Sequence, residues 1–205
     1  MTALQFIDAF LATFFIGVAT LFSAKQFALR ARDGDGRAHH GRVFSPQWTG
    51  RVLFDLFRAA IFGVCVIRLF APSIDVYLAP LPGLWESVAV RGAGIALMIF
   101  GLWRSFYAHS YLGDEWRSGV RERAGDALVT AGPYSRSRNP IFTAVITAQF
   151  GFMLALPSVF SVICFVVGAA VLLRQARIEE DHLQRRFGAI YVAYKARTPR
   201  WRLLA

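Results

Sequence analysis

Runs of apolar residues separated by arginine-bearing loops constrain this chain more than any other feature. The runs cover 4–22, 52–70, 88–107, 140–156 and 159–173. Runs of this kind suit an α-helix crossing the roughly 30 Å hydrocarbon core of a bilayer. Lipid cannot satisfy open backbone N–H and C=O groups, so helices are the expected spanning form. The spacing therefore predicts an all-α integral membrane fold with about five transmembrane helices. The last two runs are separated only by Leu156-Pro157-Ser158, and a tight hairpin is expected there. A single membrane domain over 1–205 follows, with three N-terminal spans in 1–110 and a second half, 111–205, that holds the motifs.

Of the 205 residues, 56% are hydrophobic and the formal net charge is +10. That charge does not point to nucleic acid, because the basic residues border apolar runs instead of forming a soluble basic face. Lys25, Arg30, Arg32, Arg37, Arg42 and Arg51 follow the first run. Arg104, Arg117, Arg121, Arg123, Arg136 and Arg138 follow the third, and the tail is basic again. The segment 71–87 between the second and third runs has no Lys or Arg. Positive charge stays on the cytoplasmic side, so the N-terminus is expected outside and the C-terminus inside, in a bacterial inner membrane. The N-terminal run lacks a basic leader and reads as a retained span. Cys65 and Cys164 sit inside apolar runs and read as small hydrophobes, not as a disulfide or a metal site. His39 and His40 lie in a polar loop and read as solvated, so no metal is expected.

The tail "RQARIEEDHLQRRFGAIYVAYK" places Leu183, Phe187, Ile190, Tyr191 and Tyr194 at helical spacing. It reads as a C-terminal cytoplasmic amphipathic helix, with Gly188 as a break. Upstream, "GPYSRSRNPIF" starts at Gly132. Pro133 and Pro140 fix the backbone, and Pro140 suits the first turn of a helix. If the fourth and fifth runs pair as a hairpin, Glu179 and Glu180 should lie near Arg138-Asn139-Pro140. Carboxylates, arginines and a rigid turn at the lipid border would make a polar pocket with an apolar back wall. A salt bridge from Glu179 to Arg136 or Arg138 is the plain structural alternative.

"DALVTAGPYSRSRNPIF" followed by "RIEEDHLQRRFGAIYVAYKARTP" resembles the catalytic half of the isoprenylcysteine carboxyl methyltransferase family. It is similar also to the related phospholipid and thiol methyltransferases of membranes. The order and spacing of these pieces, over roughly 113–200, carry the resemblance. It implies S-adenosylmethionine as cofactor and S-adenosylhomocysteine as product. It also implies cofactor contacts at Asp126, Ala127, Leu128, Val129, Tyr134, Arg138, Asn139, Pro140, Ile141, Phe142, Glu179 and Tyr194. In that reading Leu128, Val129 and Phe142 pack on adenine, Glu179 pairs with the ammonium, and Arg138 faces the carboxylate or supports the turn.

Two positions depart from the family. Asn139 stands where a histidine is usual. Gln175 stands where an arginine one turn before the glutamate meets substrate, so Gln175, the flanking Arg174 and Glu179 are the expected catalytic group. Without that arginine, a thiol or amine acceptor is favoured over a carboxylate. Trp116 reads first as an interfacial anchor; with Arg177 it is also a candidate for the acceptor entrance. The expected partners are membrane lipid and a small apolar or lipid acceptor, with no nucleic acid. An NADPH-dependent membrane reductase of the sterol-reductase type and a non-catalytic lipid-binding protein remain the competing readings.

Overall fold

The computed structural model describes residues 2–33, 46–112 and 127–202. Its helices are α1 (Ala3–Asp33), α2 (Pro46–Phe70), α3 (Val88–Ser110), α4 (Pro140–Ala155), α5 (Val159–Phe187) and α6 (Ala189–Arg197). Short 3-10 turns cover Pro72–Leu78 and Gly132–Ser135. The described residues form no β-strand; an isolated bridge pairs Pro80 with Ser158.

The helix starts are written in the sequence. Thr2 and Gln5 exchange side-chain and backbone hydrogen bonds at 2.9 and 3.3 Å and so cap α1. The Ser87 hydroxyl accepts from the Val90 N–H at the start of α3. Ser158 and Ser161 make a reciprocal cap at the start of α5. Each cap satisfies backbone donors that the first helical turn leaves open.

Among the described residues three helices are long and apolar enough to cross a membrane: α1 over Ala3–Leu21, α3 and α5. α2 carries Arg51, Asp55, Arg58 and Arg68 along its 25 residues, and α4 is apolar but only 16 residues long. By length and composition, then, three of the five expected crossings stand out. Leu156-Pro157-Ser158 joins α4 to α5, yet the broadest packing of α4 is against α3.

The reason is glycine. A Cβ at Gly94 would meet the Ala155 nitrogen at 2.4 Å, and one at Gly101 would meet the Ala144 oxygen at 2.6 Å. Across the crossing, a Cβ at Gly151 would meet the Gly94 oxygen at 2.6 Å. The two backbones touch because no side chain stands between them, as small residues permit in membrane helix pairs.

The apolar core gathers Ile7 and Leu11 of α1, Ile61 and Cys65 of α2, Met98 of α3, Phe152 and Ala155 of α4, and Cys164 of α5. Beside it is a buried charge cluster that the sequence reading did not foresee. Arg91 is 1% exposed; it donates to Asp8 and to the Ala155 carbonyl, the latter at 2.9 Å. Arg68 pairs with Asp8 at 3.1 Å and with Asp75. Both guanidiniums lie 5.4 Å from the Trp85 ring. Asp8 thus ties α1 to α2 and α3, although the first two runs carry no motif.

The tail departs from the expected stripe. α5 continues without interruption to Phe187, and Gly188, at φ 51, breaks it as expected. The break changes the helical phase. Tyr191 and Tyr194 are buried and Leu183 and Phe187 half-buried, but Ile190 is 66% exposed.

Two stability outcomes follow. Gly101→Leu is expected to separate α3 from α4 and abolish the folded peak on size exclusion in detergent. Asp8→Ala leaves two buried guanidiniums short of a counter-charge, and a loss of about 3 kcal/mol is expected in detergent unfolding.

Candidate functional site

The site is assembled at the start of α4. Gly132 adopts φ 56, and a Cβ there would fall 2.2 Å from the Tyr111 ring. Only glycine lets the turn sit on that aromatic side chain at this backbone angle. Pro133 and Tyr134 are buried, and the Ser135 hydroxyl donates to the Gly132 carbonyl at 2.7 Å. Pro140 then opens α4, where its missing N–H costs nothing.

The tail folds onto this turn. The Arg138 N–H donates to the Pro199 carbonyl at 3.0 Å, and the Ser137 hydroxyl to the Arg200 carbonyl at 3.0 Å. The Arg138 side chain engages every one of its guanidinium nitrogens. Nε and Nη2 donate to the two Glu180 oxygens at 3.2 Å each, while Nη1 donates to the Lys195 and Thr198 carbonyls at 3.1 and 2.8 Å. Arg200 adds a second fork onto Glu180, at 2.9 to 3.1 Å. Asn139 Nδ2 donates to Glu180 at 2.9 Å. Glu180 itself is 4% exposed. Such charge-assisted, two-pronged bonds are among the stronger polar contacts a protein makes.

This geometry corrects one expectation. The partner of Arg138 is Glu180, not Glu179. Successive residues on a helix point about 100° apart, so only one of the two carboxylates can face the turn. Glu179 is half-buried and accepts from Gln175 Nε2 at 3.0 Å. It lies close enough for its charge to help raise the Tyr134 phenol, an effect that comes first from burial. Arg51, at the start of α2, acts on Glu179 electrostatically.

Tyr194 donates its hydroxyl to the Tyr134 carbonyl at 2.6 Å and so pins α6 to the turn. Burial pushes the Tyr194 hydroxyl up to about 12, so it keeps its proton at neutral pH.

The other expected site residues are scattered around this knot. Asn139 and Pro140 are buried; Leu128, Val129, Ile141, Phe142 and Gln175 are half-buried; Ala127, Arg174 and Arg177 are exposed. Asp126, Trp116 and the His39–His40 pair lie outside the described residues. Among the described residues no group of three or more His, Cys, Asp or Glu could hold a metal.

Glu180 lies beside Arg138 and Asn139 as expected of the acidic pair, whereas Ser137, Thr198, Arg200 and Arg51 were missed as parts of the site. For Arg200 a signal existed: Pro199 stops α6, so the next side chain is released from the helix to reach back. Arg51 had none, because it is far away in sequence and borders an unremarkable run.

Long apolar helices with a polar knot at one set of helix ends define an integral membrane protein. Residues 90–190 match the phospholipid methyltransferase family. The match takes in most of α3, all of α4 and α5, and ends inside α6, before Tyr191, Tyr194 and Arg200. No curated protein and no solved structure matches the chain.

The two adjacent carboxylates should separate in experiment. Glu180→Gln is expected to cost about 3 kcal/mol in ligand-free unfolding, because two guanidiniums lose their shared partner. Glu179→Gln is expected to stay within about 0.5 kcal/mol of the parent protein.

Proposed function

We propose that this chain is an S-adenosylmethionine-dependent methyltransferase acting on an apolar or lipid-soluble acceptor at the cytoplasmic border of a bacterial inner membrane. The N-terminus is placed outside and the C-terminus inside, and α2 and α4 complete five crossings. One observation carries the reading. The Arg138–Glu180–Arg200 knot fixes the turn, the helix start and α5 together, and leaves Glu179 at its edge with Gln175 as the side-chain donor the structure gives it.

The residues present suit such a cofactor. Glu179 offers a carboxylate oxygen for an ammonium group, a charge-assisted contact in a partly dry site. Leu128, Val129 and Phe142 offer half-buried apolar surface for an adenine ring. Tyr134, Asn139, Pro140 and Ile141 would form the rigid edge of the cofactor site, with Ala127 beside it. Tyr194 closes it by holding the turn.

When bound, the cofactor supplies an activated methyl group on a sulfonium. The protein aligns donor and acceptor and keeps water away. Gln175 orients the Glu179 carboxylate from one turn below. Arg174 and Arg177, both exposed, are assigned to the acceptor entrance. A thiolate or free amine acceptor asks for no strong base, which suits a site without a histidine–carboxylate pair.

The family match to residues 90–190 supports methyl transfer. Titration of the detergent-purified chain with S-adenosylhomocysteine and with NADPH tests the proposal. Saturable binding of the first and not the second is expected. The opposite pattern would favour a reductase, and binding of neither would leave a lipid-binding protein. Glu179→Ala is expected to abolish S-adenosylhomocysteine binding while the unfolding midpoint stays put; unchanged affinity in calorimetry removes the role given to that carboxylate.

A further inference from the structure

Glu179 is approached by a helix that lies outside the matched segment. Val171, Gln175 and Glu179 follow one another at four-residue spacing, so they line one face of α5. α2 packs against α5. At Gly50 the α2 backbone rests on this face: a Cβ there would meet Val171 Cγ1 at 3.6 Å. The next residue is Arg51, and its charge reaches the Glu179 carboxylate. The Arg51 side chain is 20% exposed, so water screens that attraction only in part.

Arg51 has a second acid within reach. Asp55, one turn further along α2, lies 3.7 Å from its Nε, and Arg58 faces the same carboxylate at 3.6 Å. The two acids differ in need. Asp55 is 44% exposed and has water as well as two arginines. Glu179 is half-buried, and its donor Gln175 is neutral. A carboxylate drawn out of water is costly without positive charge nearby. Arg51 supplies that charge from across the α2–α5 seam.

A cationic ligand changes this balance. In the cofactor reading above, Glu179 takes the ammonium of the methyl donor. Arg51 and that ammonium carry the same sign and converge on one carboxylate. Like charges this close at a protein border repel enough to change an affinity several-fold. Asp55 gives Arg51 somewhere to turn.

We propose that Arg51 is a positioning residue for the cofactor site: it holds the Glu179 carboxylate in the free protein, then yields it to the ligand's ammonium and turns to Asp55. The inference rests on the cofactor reading and deepens it, by adding a residue of α2 to a site built from α4, α5 and the turn. Arg51 touches no reacting atom; it acts through Glu179. Because it belongs to α2, occupation of Glu179 by the ligand also removes a charge contact from the α2–α5 seam.

The test is calorimetric titration of the full chain in detergent with S-adenosylhomocysteine and with its deaminated analogue, which keeps the carboxylate and lacks the ammonium. Arg51→Met is expected to tighten S-adenosylhomocysteine about fivefold and leave the analogue unchanged. Arg51→Lys, which keeps the charge, is expected to stay within about twofold of the wild type. Asp55→Asn removes the alternative partner and is expected to weaken S-adenosylhomocysteine about threefold. Unchanged or weaker S-adenosylhomocysteine binding in Arg51→Met overturns the inference, and so does an equal gain for the analogue. If Arg51→Met does not fold, Asp55→Asn decides, and unchanged affinity there overturns the inference. If the wild type binds neither ligand, the methyl-donor reading itself falls, and this role with it.

Discussion

One carboxylate organises the charged end of this molecule. Glu180 receives Arg138, Arg200 and Asn139 at once. Through these bonds α5, the turn before α4 and the chain after α6 become one object. An acidic side chain only 4% exposed needs partners to stay charged, and here three side chains supply them. Remove the carboxylate and the arginines repel across a site that no longer has a reason to close.

A consequence is division of labour between adjacent acids. Glu180 is saturated by the protein. Glu179 turns along the helix to a different surface, where Gln175 donates to it. The structural role and the proposed cofactor role therefore fall to neighbouring positions, which a helix can separate in direction though not in sequence. Asn139 belongs to the first task. In place of the family histidine it acts as a neutral donor to Glu180, so no ring is needed for that bond.

Much of this was legible in the sequence, and its limits have physical causes. Apolar periodicity exposed the helices, and Pro140, Ser158 and Gly188 marked their boundaries. The approach of the Asn139 region to the acidic pair followed from the expected hairpin, although Glu180 was the residue involved. A one-residue error of that kind changes helical face, and no sequence pattern resolves face where both neighbours are acidic. The Ile190 misreading arose because Gly188 alters phase as well as direction. The Asp8–Arg68–Arg91 cluster was hidden for another reason. Its members sit 60 residues and 23 residues apart, each alone in an apolar stretch, and only folding makes them neighbours. Similarly, Arg51 reaches the Glu179 region from a helix that carries no motif.

The glycine crossing of α3 and α4 has a mechanical meaning. Where main chains touch directly, no rotamer can swing aside to open a gap, so these two helices must move as one plank. For the proposed acceptor to enter sideways from the lipid, the smaller contacts that α5 makes with α4 and with α2 would have to part. The stiff pair would then serve as the wall against which a flexible door is hung.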